Sequence, residues 1–254
     1  MQSMPPSGTG PPWLVLPTYN EADNLEALIA AALAELPPDA RVLVVDDDSP
    51  DGTGRIADRL AADEGRIEVL HRRRKEGLGP AYLAGFRRAL EAGAGFVIEM
   101  DCDFSHDPAD LPRLLAAAAD SDLAIGSRYI DGGGVENWTP LRKLISRGGS
   151  TYSRLVLGLP VRDLTGGFKC FRREVLEAIP LGSISSQGYA FQVELTYRAA
   201  QAGFRIAEIP IVFHERRAGA SKMSGLIVAE AGWKIPLLRL EEILPSSRRR
   251  DGVL

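Results

Sequence analysis

The chain is poor in the residues that staple, ligate or anchor. Its 254 residues include two cysteines, Cys102 and Cys170, with no metal-ligand spacing. That excludes a disulfide framework, and a reducing compartment is expected. No apolar run reaches the ~18 residues that read as a membrane-crossing helix. The stretch Met1–Pro12 is rich in proline, glycine and serine and has no apolar core, so no signal peptide is expected and residues 1–11 read as a flexible tail. Histidine is scarce: His106 reads as structural, and His71 and His214 carry no functional signal. The formal net charge of -4 argues against non-specific binding to nucleic acid. A glycine-rich nucleotide loop is also missing near the N-terminus, where Pro17-Thr18-Tyr19-Asn20-Glu21 stands instead. That argues against a nucleotidyltransferase.

What the chain has is alternation. Apolar runs at 13–17, 41–46, 66–70, 95–100 and 123–126 read as strands, and helical periodicity fills 24–36, 53–64, 79–92 and 108–119 between them. Strands separated by helices of this length predict right-handed βαβ units and a mostly parallel, Rossmann-like α/β sheet. The second half is less regular. Residues 141–157 read as a helix interrupted near Gly148-Gly149, 168–171 and 206–213 as strands, and 192–202 as a helix.

Polar groups cluster where such a sheet binds ligands, beyond the carboxyl ends of its strands. Tyr19-Asn20-Glu21 follows the first strand, Asp46-Asp47-Asp48-Ser49 the second, Asp101-Cys102-Asp103 the fourth and Ser127-Arg128 the fifth. Acids that cap the following helices explain one or two of these, not all four. At strand spacing Asp101 and Asp103 share a face, and two carboxylates held that close are costly unless a cation sits between them. Hard oxygen ligands suit Mg²⁺ or Mn²⁺, which hold diphosphates.

These blocks, in this order, resemble the signature blocks of inverting GT-A glycosyltransferases of family 2. The stretch from Gly126-Ser127-Arg128-Tyr129 through Gly134-Val135-Glu136-Asn137-Trp138 to Arg142 and Gly148, with Arg216 to Lys222, narrows the resemblance to the dolichol-phosphate (polyprenol-phosphate) mannose synthases. The resemblance implies a GT-A catalytic domain over residues 12–224, GDP-mannose as donor, and a polyprenyl or dolichyl monophosphate as acceptor. It implies that Pro17, Tyr19, Glu21, Asp46 and Asp48 hold the nucleotide, and that Asp101 and Asp103 bind metal and diphosphate. Ser105, where some members have Gln, is a third candidate ligand. Arg128, Arg142, Ser146, Arg216 and Lys222 are implied to grip the lipid phosphate, with Asp103, Arg128 and Arg142 central to catalysis. Gln187 to Glu194 belongs to the acceptor side, although Glu194 reads equally as an ion-pair partner. A close alternative keeps the fold and uses another donor, such as UDP-glucose.

A lipid acceptor without a spanning helix raises the question of attachment. Residues 225–244 read as an amphipathic segment with Trp233, Lys234 and Arg239 suited to a membrane interface, although Pro236 argues against one straight helix. Residues 245–254 read as a basic tail. The expectation is a peripheral protein at the cytoplasmic membrane face, with a membrane-embedded partner protein as the other route.

Overall fold

Neighbouring residues of the first strand face different cores. In the computed structural model, which describes residues 10–215 and 232–240, strand β1 (Pro12–Thr18) sends Trp13 and Val15 to one side and Leu14 and Leu16 to the other. Strand β2 (Arg41–Asp46) does the same with Leu43 and Val45 against Val42 and Val44. A strand covered on both faces must be apolar on both, which is why these runs are nearly continuous. Helices α3 (Leu78–Glu91) and α7 (Gly188–Gln201) cover the first face, and α1 (Leu25–Glu35) and α4 (Leu111–Asp120) the second. The approach of α3 is close: a Cβ on Gly85 would meet Val15 Cγ1 at 2.4 Å.

The seven-stranded sheet is ordered β3-β2-β1-β4-β7-β5-β8, with β3 (Ile67–His71), β4 (Phe96–Glu99), β5 (Leu123–Ser127), β7 (Lys169–Arg172) and β8 (Ile206–Pro210). Helix α2 (Thr53–Asp63) connects β2 to β3, and α6 (Arg173–Ala178) follows β7. Every neighbouring pair is parallel except those of β7, which runs antiparallel to both β4 and β5. A separate parallel ribbon joins β6 (Gly134–Val135) to β9 (Val212–Phe213).

Three expectations change. Helix α5 (Pro140–Leu157) runs through Gly148-Gly149 without a break. Two interior glycines cost roughly 1 kcal/mol each relative to alanine. Packing offsets that: Ser146, Ser150, Ser153 and Leu157 are buried at helical spacing, and Ser153 Oγ donates to Gly149 O at 2.7 Å. The predicted strand at 206–213 is two strands in two sheets, since β8 ends at Pro210, which has no N–H for the ladder. Finally, β4 stops at Glu99, so the D-x-D residues sit on a turn rather than a strand.

Residues 232–240 form a helix, α8, through Pro236. A proline leaves the carbonyl four residues earlier without its helical donor. Here that carbonyl, Gly232 O, accepts from Tyr152 Oη of α5 at 2.8 Å. Ile235 is buried in the first core, while Trp233, Leu237 and Leu240 are exposed. Among the described residues no helix is long and apolar enough to cross a membrane. The segment boundaries expected at 224/225 and 244/245 lie outside the described residues.

Candidate active site

The loops after β1, β2 and β4, together with the loop before α5, each carry a non-glycine residue in the left-handed region. These are Asn20 (φ 58), Asp48 (φ 57), Phe104 (φ 59) and Asn137 (φ 56). Asn and Asp tolerate this conformation; a bulky Phe held there costs about 1–2 kcal/mol. Such strain gathers where surrounding structure fixes a loop for a purpose.

After β2 the aspartates divide into framework and free groups. Asp46 is buried at the end of β2 and accepts from Thr18 Oγ1 (3.2 Å), Ser49 Oγ (2.6 Å) and Ser49 N–H (3.2 Å). Its carboxylate therefore shapes the loop. Asp47 is buried and pairs with Arg72 at 2.5 Å; burial raises its carboxyl above the usual range, and Arg72 opposes the rise. Asp48, the next residue, is exposed and left-handed. Pro17 is half-buried near the end of β1, and Glu21 Oε2 accepts from Asn24 Nδ2 at 3.0 Å. The Tyr19 ring carries the Lys75 ammonium over its face, 3.8 Å from the centroid.

The two carboxylates of the D-x-D turn have different surroundings. Asp103 is buried and accepts from Ser105 N–H at 3.0 Å, closing the turn. Asp101 is half-buried and accepts from Tyr82 Oη of α3 at 3.5 Å. Burial first, then the charges of Asp101, Glu99 and Asp103, hold the Tyr82 phenol well above its ordinary value, so it stays a neutral donor. Ser105 is buried, and its Oγ has no hydrogen-bond partner. His106 stacks on Phe168 (centroids 5.0 Å apart), and burial pushes its imidazole down to about 4. It is neutral and structural.

Arg128 follows β5 and is buried against Asp163. Its Nε and Nη2 donate to the two carboxylate oxygens at 2.7 Å each, its backbone N–H adds a third bond, and Nη2 also reaches Thr165 Oγ1. Burial alone would raise the Asp163 carboxyl; Arg128 holds it below its usual range. Among the described residues Nη1 of Arg128 makes no hydrogen bond. Arg142, on the first turn of α5, is held more loosely: Nη1 lies 3.6 Å from Glu215, Nε has no partner, and the guanidinium lies 4.1 Å from the Trp138 ring centroid. Ser146, one turn on, accepts from Tyr129 Oη at 2.6 Å. Glu194 is an ion-pair partner, 2.5 Å from Arg198. Arg216 and Lys222 lie outside the described residues.

The D-x-D turn after β4 and Arg128 after β5 stand at the same end of the sheet, and between the charges of both lies Tyr189, at the start of α7. Burial raises its hydroxyl, Arg128 and Arg142 oppose the rise, and Asp101 adds to it. The carboxylate side and the arginine side thus act on one phenol. Two buried titratable residues that no motif signals sit side by side in the sheet. Glu99 and Lys169 are in register across β4 and β7 and fully buried, with Lys169 Nζ donating to Gln192 O (2.8 Å) and Oε1 (2.7 Å). Burial raises Glu99 to about 7 and lowers Lys169 to about 8. Tyr82, Asp163, Glu99 and Lys169 escaped the sequence reading because each acts through a partner distant in the chain. A cavity of about 590 Å³ on the outer flank of the turn, lined by Phe104, His106, Asn137 and His214, contains none of Asp101, Asp103, Arg128 or Arg142 and is not the site.

A mostly parallel sheet with a D-x-D turn and carboxylates at its strand ends defines a glycosyltransferase of the GT-A fold. Residues 13–179 match the profile of glycosyl transferase family 2. The chain belongs to that family. It is 51% identical over 224 residues to the polyprenol monophosphomannose synthase of Mycolicibacterium smegmatis, covering 87% of this chain and 84% of that one. It is 52% identical over 217 residues to the undecaprenyl-phosphate mannosyltransferase of Micrococcus luteus, covering 85% and 89%. Among solved structures it resembles glucosyl-3-phosphoglycerate synthase from Mycobacterium tuberculosis, in complexes with Mn²⁺ and UDP (TM-score 0.64, 19% identity, 92% of this chain and 80% of that one) and with Mg²⁺ and UDP (0.65, 18%, 94% and 80%). That likeness carries the fold.

Proposed function

We propose that this protein transfers mannose from GDP-mannose to a polyprenyl monophosphate, with inversion at the sugar C1. The observation that carries the reading is that an oxygen-donor turn suited to a metal–diphosphate follows β4 at the same end of the sheet where Arg128 follows β5, with Arg142 sharing the Trp138 ring with Arg128. The names of the two relatives, each at about half identity over most of the chain, support mannose as the sugar and a polyprenyl phosphate as the acceptor.

The turn suits a hard divalent cation. Asp101, Asp103 and the unpartnered Ser105 hydroxyl are all oxygen donors, and no cluster of three His, Cys, Asp or Glu exists among the described residues. Two protein carboxylates leave room for waters and diphosphate oxygens, which is the preference of Mg²⁺ and Mn²⁺. When bound, the ion offsets charge on the leaving diphosphate. The Mn²⁺ and Mg²⁺ complexes of the structural neighbour support the same class of cofactor.

The chain's own residues orient the reactants. Asp48 and the Tyr19 ring face the nucleoside, with Pro17, Glu21 and Asp46 building the loops around it. Arg142 Nη2 and Arg128 Nη1 are the nitrogens offered to the acceptor phosphate, with Ser146 one turn along α5 from Arg142. The acceptor carries about −1.5 to −2 charge near pH 7 and attacks as an anion, so no general base is needed. His106, three residues after Asp103, is neutral and buried, in keeping with that. The arginines hold one anion close to another that would repel it.

The protein reaches its lipid from the membrane surface. Leu141, Leu144, Ile145 and Leu155 of α5 are exposed along a helical stripe, and α8, joined to α5 through Tyr152, exposes Trp233, Leu237 and Leu240. Lys143 and Arg147 are exposed on α5 as well. Apolar stripes with basic neighbours suit an anionic bilayer interface.

The test is product formation. Labelled GDP-mannose or UDP-glucose is incubated with a polyprenyl phosphate and Mg²⁺ or Mn²⁺, and lipid is extracted. Label from GDP-mannose in the lipid phase supports the reading; label from UDP-glucose alone replaces the donor, and none from either overturns it.

A further inference from the structure

The arginines and the metal turn are joined by a row of rings. His106, three residues after Asp103, stacks on Phe168 and meets Phe213 of β9 edge-on at 5.1 Å. Phe213 meets Trp138 edge-on at 5.2 Å. Trp138 then lies under both arginines, 4.1 Å from Arg142 and 5.7 Å from Arg128, with Phe213 also 5.5 Å from Arg128. The backbone follows the same route: His214 N–H donates to Ser105 O at 3.0 Å, and Glu136 N–H to Phe213 O at 2.9 Å. Two of the four left-handed residues, Phe104 and Asn137, bracket this row at its ends.

Trp138 is nearly fully buried, yet its indole N–H has no hydrogen-bond partner. Burying an unpaired donor is unfavourable, so the residue is not there for its N–H. Its face is what it uses. A guanidinium on an aromatic face is oriented but keeps its in-plane N–H groups free, unlike one locked by a carboxylate. Arg142 meets that description: stacked on the indole, Nε unpartnered, Glu215 at 3.6 Å.

We propose that Trp138 is a positioning residue for transfer: its indole presents Arg142 to the acceptor phosphate and, through Phe213 and His106, sets the distance between that arginine and the D-x-D turn. The inference rests on Arg142 gripping the acceptor phosphate, as proposed above. A rigid row of rings suits this because in-line attack tolerates little misplacement of the two reactants. The donor site lies at the far end of the row and keeps its own contacts when the indole is removed.

The experiment compares Trp138→Phe, Trp138→Met and Arg142→Ala in the full chain with a short-chain polyprenyl phosphate. It measures acceptor KM, kcat, GDP affinity by calorimetry and the thermal midpoint. Trp138→Met fills the space without a ring and should raise acceptor KM at least tenfold and lower kcat, with GDP affinity within about twofold of wild type. Trp138→Phe restores a ring face and should recover most of the loss, which packing volume alone does not predict. If Arg142→Ala leaves acceptor KM unchanged, the acceptor-site reading fails and the inference with it. If Arg142→Ala raises KM and Trp138→Met does not, the inference alone is overturned. Should Trp138→Met fold poorly, Phe213→Leu removes the edge contact and keeps the indole. It should raise acceptor KM in the same direction, and an unchanged KM there also overturns the coupling.

Discussion

Removing Arg128 should destabilise the fold well before it reveals anything about the acceptor. The substitution Arg128→Ala leaves Asp163, fully buried, without the guanidinium that accounts for both side-chain bonds at 2.7 Å. Breaking one side of a buried ion pair costs about 3–5 kcal/mol. At about 2–4 °C per kcal/mol for a chain of this size, the midpoint should fall by roughly 6–20 °C. Arg142→Ala removes a half-exposed guanidinium with one long ion pair and a ring contact, so its cost should stay near 1 kcal/mol. Thermal melts of both variants, followed by GDP titration at a temperature where each is folded, separate stability from binding. Arg128→Lys should recover little, because an ammonium cannot span both carboxylate oxygens. An Arg128→Ala variant that melts within about 2 °C of wild type would refute the claim that this pair is a structural pivot.

Other outcomes follow from single sites. Asp103→Asn keeps an acceptor for the Ser105 N–H but removes the charge, so turnover should fall by at least about 100-fold with the midpoint little changed, as read by lipid product and thermal melting. Glu99 holds its proton up to about 7 in the folded protein against an ordinary 4.5. The folded state therefore binds more protons between these values, and wild type should lose stability relative to Glu99→Gln as pH rises from 4.5 to 7. Urea melts across that window that run parallel for the two proteins would contradict the burial of this carboxyl. Leu144 is 70% exposed, so Leu144→Glu should leave folding intact and weaken co-sedimentation with anionic vesicles roughly tenfold, the free energy of one buried leucine. Equal sedimentation would remove α5 from the membrane face.

The first half of the fold was legible because its strands are buried on both faces and its helices on one. β2 was read at its observed bounds, 41–46, since the apolar run and Asp46 mark both ends. The second half hid its organisation in long-range contacts. Nothing local to Lys169–Arg172 says that this strand runs antiparallel between two parallel ones. Nothing local to Gly148-Gly149 says that buried serines within a turn on either side carry the helix through. At the site, the sequence marked Asp101, Asp103, Arg128 and Arg142 but said nothing of how each arginine is held. Burial separates them, since Arg128 is fixed by an aspartate 35 positions away. The same-face reading of the two D-x-D carboxylates assumed a strand that ends two residues earlier.

The reversed strand also sets a timetable for synthesis. β1 to β4 can pair among themselves as soon as residue 99 has left the ribosome. β4 and β5 cannot become neighbours, because the place between them belongs to residues 169–172. During elongation at about 5–20 residues per second, the nascent D-x-D turn therefore waits roughly 4–14 s with one flank of its strand exposed. Over that interval Glu99 is still solvated, and it enters the interior only when Lys169 arrives to meet it. The last sheet neighbour of the strand that carries the D-x-D turn is thus made late, after the loops that follow β1 and β2 have been translated. An unpaired β4 edge in that interval is the place where a chaperone or an aggregation event should find this chain first.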